Sequence, residues 1–115
     1  MKKPSIQKID LRPYIGTLYV ARTKDQFRSA YKRLFADDDC GLKDSSGGRF
    51  IRGPHRKTRM LTYLVWAEKG HYMVHELSHV VLDLFETVGV APCSSEGEAF
   101  CYMLGKLCED VGIKL

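Results

Sequence analysis

His75-Glu76-Leu77-Ser78-His79 lies inside a run whose apolar residues recur every three or four positions. Met73, Leu77, Val80, Leu84 and Val88 form one stripe of a helix, widened by Val74 and Val81. At roughly 100° per residue, His75 and His79 fall on the opposite side of that helix. Such a helix must bury one face and leave the other open. It belongs on the surface of a core, with both histidines facing away from the apolar side.

A core for this helix to rest on must come from the rest of a 115-residue chain. That length supports one domain and not two independent cores, so residues 1–115 read as a single domain. Hydrophobic residues at 44% and charged residues at 28% exclude collagen-like, low-complexity and wholly disordered chains. Apolar runs such as residues 80–82 fall far short of the roughly 18 residues that cross a membrane. Met1-Lys2-Lys3-Pro4 carries charge with no apolar stretch behind it, so no secretory signal is read there. A cytoplasmic location is the expectation. Cys40, Cys93, Cys101 and Cys108 contain no CxxC pair, which fits a reduced chain. Cys101 and Cys108 share a helical face and are expected to be small buried hydrophobes.

The punctuation of the chain predicts its elements. Residues 1–14, with Pro4 and Pro13, read as an irregular lead-in. Residues 16–22 are rich in β-formers and predict a strand. Thr23 with Gln26 three residues later is a capping-box pattern, opening a helix over about 24–36. Residues 37–48 are turn-rich and expected to be a mobile loop. Residues 49–52 suggest a short strand, and residues 60–67 predict the strongest strand in the chain. Helices follow over about 71–88 and 96–109, the second capped by Ser94 or Ser95.

The motif on the first of these helices is HExxH. Two histidines four apart lie one turn apart on one face, where their imidazoles can bind one tetrahedral zinc ion. Glu76, between them, points beside the metal, where a general base for a metal-activated water must sit. Two histidines alone make a weak site, since a catalytic zinc usually has three protein ligands. Glu98 lies 19 residues after His79, at the start of the last helix. It could equally close a capping box with Ser95.

HExxH followed by Glu98-Ala99 on a second helix resembles the gluzincin metallopeptidases. The chain is similar in length to their smallest members, the minigluzincins. It also resembles short HExxH proteins of phages and prophages, in which a β-rich strand runs into the motif and a Glu-Ala-Phe-x-Tyr segment follows. Here those parts are residues 61–66 and 98–102, and the likeness covers about residues 59–107. It implies a phage or prophage origin and a zincin-like α+β domain. That domain would have a small, twisted, mostly antiparallel sheet, a helix from the N-terminal half, the HExxH helix and a C-terminal glutamate helix. It implies His75, His79 and Glu98 as ligands of one Zn2+, with Glu96 as rival third ligand, and Glu76 as base. It also implies that Leu61, Thr62, Tyr63, Leu64 and Val65 form the sheet edge that pairs with a peptide substrate.

The chain departs from the larger gluzincins at Tyr102, where they carry an aspartate that orients a ligand. The 13 residues after Tyr102 contain no His, Tyr or Arg to stabilise an oxyanion. Tyr102, Tyr72, Tyr63, His55 and Arg56 are the alternatives. Asp83 and Glu86, on the histidine side of the helix, are candidates to orient a histidine or are plain solvated charge.

Three functions compete. The first is a zinc peptidase acting on peptides or proteins. The second is a zinc-binding protein that engages a host protein without proteolysis. The third is nucleic-acid binding, since residues 1–70 carry 16 Lys/Arg against 7 Asp/Glu, while residues 71–115 carry 2 against 7. Lys32, Arg33, Arg49, Arg52, Arg56, Lys57 and Arg59 are its candidates, but no recognised nucleic-acid motif accompanies them.

Overall fold

The computed structural model describes residues 6–12, 14–35, 47–89 and 98–113, with Glu98 by its backbone alone. Over these described residues it is a small α+β fold of three helices and a four-stranded mixed sheet. The chain runs β1 (Gln7–Asp10), β2 (Thr17–Ala21), α1 (Lys24–Leu34), β3 (Gly48–Pro54), β4 (Leu61–Ala67), α2 (Gly70–Val88) and α3 (Glu98–Val111). The sheet order is β1-β2-β4-β3. β1 pairs antiparallel with β2, β2 parallel with β4, and β3 antiparallel with β4. Two of the three pairings are antiparallel, as expected.

Helices cover both faces of the sheet. Tyr63 and Val65 of β4 point to a core shared with Leu18 and Val20 of β2, Leu77, Val80, Val81 and Leu84 of α2, and Met103 and Leu107 of α3. Leu64 and Trp66 point the other way, to Phe27, Ala30 and Leu34 of α1. Successive strand residues face opposite sides, so a strand buried on both faces must be apolar at nearly every position. β4 is that strand, and Thr62 to Trp66 are all buried.

Two expectations are corrected here. β4 is not an edge. It is flanked by β2 and β3 along its length, so the backbones of Leu61, Thr62, Tyr63, Leu64 and Val65 are already paired. Among the described residues the sheet ends instead at β1 and β3. The lead-in 1–14 is also not wholly irregular, since residues 7–10 form β1. Only Ile9 of that strand is buried, so its sequence carries almost no apolar alternation.

A local signal explains the start of α1. Thr23 Oγ1 accepts the Gln26 backbone N–H at 3.1 Å. The Gln26 side chain reaches back to accept the Arg22 N–H at 2.8 Å, one residue before the cap. The box is therefore shifted by one donor relative to its usual form. Glu68 and Lys69 alone separate β4 from α2, so α2 hangs directly from the central strand. α3 returns antiparallel, with Phe100 beside Phe85 at 6.4 Å and Ile113 near Gly70. Of the cysteines, Cys108 is half-buried and Cys101 is exposed, contrary to expectation. Cys40, Cys93 and residues 37–46 of the loop expected over 37–48 lie outside the described residues, while Gly48 at its end belongs to β3. Among the described residues no helix is long and apolar enough to cross a membrane.

Candidate metal centre

α2 divides as its periodicity predicts. Met73, Leu77, Val80, Val81, Leu84 and Phe85 are buried, while His75 and His79 are exposed on the far side. The two Nε2 atoms face each other at 3.1 Å. Two nitrogens each about 2.1 Å from one tetrahedral ion stand about 3.4 Å apart. The histidines are thus within a few tenths of an ångström of the spacing a shared zinc requires. His75, Glu76 and His79 each offer a donor atom within 4.8 Å of the others. Imidazole nitrogens with a carboxylate are a donor set suited to zinc and to neighbouring transition metals.

Glu76 differs from its neighbours in being buried, at 8% exposure. Burial pushes its carboxyl above the ordinary value, while His75, His79 and Arg49 pull it back down. The net direction makes Glu76 a stronger base than a solvated glutamate.

β3 supplies the wall of the site. Its alternate residues Gly48, Phe50 and Arg52 meet Glu76, His79 and Asp83 of α2 in order. The glycines at its entry permit this approach. A Cβ on Gly47 would stand 3.1 Å from the Tyr72 ring, and one on Gly48 would stand 3.3 Å from Glu76 Cγ and 3.2 Å from the Trp66 carbonyl. Gly48→Ala is therefore expected to displace Glu76 or to lift β3 away, at a cost of about 1–3 kcal/mol. Denaturant unfolding measures that loss, and a variant as stable as the parent would show that β3 yields freely.

Phe50 stacks on His79 at 5.6 Å and on Tyr63 at 5.9 Å, with interplanar angles of 28° and 26°. Tyr63 donates its hydroxyl to Asp83 Oδ2 at 2.6 Å, and the same oxygen takes Arg52 Nε at 2.7 Å. Arg52 also reaches Thr87 Oγ1 at 3.5 Å. The rings from β4 and β3 thus brace one side of His79. Burial, and then the bond to Asp83, raise the Tyr63 hydroxyl far above the ordinary phenol range.

The other candidates are placed as follows. Asp83 holds Tyr63 and Arg52, so the bonds seen on its carboxylate serve the strands and not a histidine. Tyr63 is fully buried and its hydroxyl is committed to Asp83, so it is not placed to meet an oxyanion. Tyr102 is 75% exposed on α3. Glu86 is exposed, and its carbonyl takes the Gly89 N–H. Tyr72 packs edge-on against His71 at 4.2 Å. Counting along β3, His55 and Arg56 lie about 16 Å of extended chain beyond Phe50. They line a hollow of about 380 Å³ with Tyr19, Arg33 and Lys57.

For the third ligand, Glu96 and the Glu98 side chain lie outside the described residues. The backbone gives a direction only. α3 starts beside the last turns of α2, and Phe85 lies about 9 Å of helix rise beyond His79. A ligand from the first turn of α3 would enter from that end.

Sequence reasoning missed the part played by β3. Arg49 and Arg52 stood out only as charge, and Phe50 not at all. The signal was present in the Gly47-Gly48 doublet, followed by side chains alternating towards α2. No protein-family model, curated protein or solved structure matches this chain.

Proposed function

We propose that the protein is a zinc-dependent peptidase. The observation that carries this reading is the pair of histidine Nε2 atoms 3.1 Å apart on an exposed helix face, with a buried glutamate between them. His75 and His79 would hold the ion, and Glu98 or its rival Glu96 would complete the ligand set. When bound, zinc supplies a water acidic near neutral pH and a positive charge that polarises a carbonyl. Glu76, between the two histidines, would be the group that takes up a proton from the attacking water and returns it to the leaving amine. Its burial against Gly48 fixes its carboxyl beside the two histidines. Phe50 holds the His79 ring in orientation. β3, the sheet edge beside the site, pairs with the substrate backbone in place of β4.

Metal analysis tests this reading. The native protein is expected to bind one zinc per chain, with His75→Ala and Glu98→Ala both losing it. Zinc retained by Glu98→Ala would move the third ligand to Glu96 or water. No zinc on the native protein would end the proposal.

A second reading, a zinc-binding interaction protein without proteolysis, is favoured by one finding. The Tyr63 hydroxyl is committed to Asp83, and Tyr102 is 75% exposed.

A further inference from the structure

The sheet has two ends of different character. β1 is four residues long and presents both signs of charge, with Asp10 already bonded to Arg12 at 2.9 Å. β3 is seven residues long, and among the described residues no strand pairs with its outer side. Residues 47–60, comprising β3 and its turn to β4, hold Arg49, Arg52, Arg56, Lys57 and Arg59 and no Asp or Glu. The inner ends of the same strand touch Glu76 and His79.

Cations on an edge strand ordinarily repel unwanted pairing. That guard is selective, because it repels neutral or basic strands and attracts acidic ones. An exposed backbone edge supplies hydrogen bonds to any extended peptide, so the charges beside it decide which peptide is held. We infer that the outer edge of β3 takes an extended acidic peptide segment as an added strand, and that acidic segments are the substrates delivered to the His75–His79 site. This rests on the peptidase reading and adds the substrate class to it. Arg52 is partly neutralised by Asp83 at 2.7 Å. Arg49, which is exposed, and the turn cations Lys57 and Arg59 therefore carry the selection. A strand added to β3 lies about 4.8 Å further out. There it passes the open side of α2 that bears the histidines. Nucleic acid is the less favoured occupant, since a backbone edge that no described strand pairs, lying next to Glu76, suits a peptide.

The test uses zinc-loaded Glu76→Gln protein, which holds a peptide without cleaving it. Two labelled nine-residue probes share alternating valines, with glutamate at the intervening positions of one and lysine in the other. Fluorescence anisotropy is expected to show the glutamate probe bound roughly tenfold more tightly at low salt. Raising the salt should erase most of that difference. Arg49→Glu, at an exposed position, is expected to remove most of the preference, and N-methylation of alternate probe amides to abolish binding. Equal affinity for the two probes overturns the inference, as does tight binding of the N-methylated probe. Tighter binding of a single-stranded oligonucleotide of equal charge also overturns it, and assigns the strip to nucleic acid. Zinc bound with no charge preference removes this inference alone. Failure of the native protein to bind zinc removes the peptidase reading and the inference with it.

Discussion

Glu76→Gln is expected to keep one zinc per chain and to lose about 10²–10⁴-fold in peptide hydrolysis, the range spanned by a single positioned proton-transfer group. Glutamine fills nearly the same volume, so the 8%-exposed site beside Gly48 stays packed. It accepts hydrogen bonds but no proton at neutral pH, so binding and chemistry separate. Burial disfavours the charged carboxylate, so the neutral amide is not expected to destabilise the metal-free fold. Two measurements on one preparation decide the matter: zinc content and hydrolysis of an unstructured protein substrate. Undiminished hydrolysis with zinc in place would remove Glu76 as the base. A native protein that binds zinc and cleaves nothing would favour the interaction-protein reading.

Asp83→Ala is expected to destabilise the protein by about 2–3 kcal/mol, lowering the melting temperature by roughly 10 °C. The cost comes chiefly from Tyr63. Its hydroxyl is buried under β3 and α2, and without Asp83 a committed donor loses its acceptor. The Arg52 contact contributes little, because that side chain is 44% exposed. Tyr63→Phe removes the donor too, so the double variant is expected to recover part of the loss. Simple additivity of the two changes would show that the hydroxyl and carboxylate act independently. The same tyrosine gives a signature in pH. Its folded-state pKa is raised above the unfolded value near 10, so its contribution is complete below pH 10 and is lost as pH rises further. Tyr63→Phe is expected to flatten that alkaline decline in urea titrations. An unchanged decline would assign it to other groups.

Much of the fold was legible because its elements announce themselves locally. Thr23 and Gln26 mark the start of α1, and the stripe from Met73 to Val88 orients α2. The unbroken run Leu61–Ala67 in fact favours a strand covered on both faces, and likeness to peptidases pointed to an edge instead. β1 was hidden because Gln7, Lys8 and Asp10 place only Ile9 in the core. The site was half legible. Histidine spacing on one helix is a local property and follows from the helical repeat. What lies across from those histidines depends on how β3 pairs with β4, a relation that no short window contains. Phe50 against His79 and Arg52 against Asp83 are products of that pairing.

Only Glu68 and Lys69 separate β4 from α2, and β4 is paired on both flanks, while among the described residues β3 has a strand partner along one flank. The two walls of the site therefore differ in lifetime. Amide protons of β4 and of the α2 turns bearing His75 and His79 are expected to exchange only when the whole molecule opens. Those of β3 exchange through smaller, more frequent openings. The histidine pair keeps its spacing through fluctuations that let the neighbouring wall come and go.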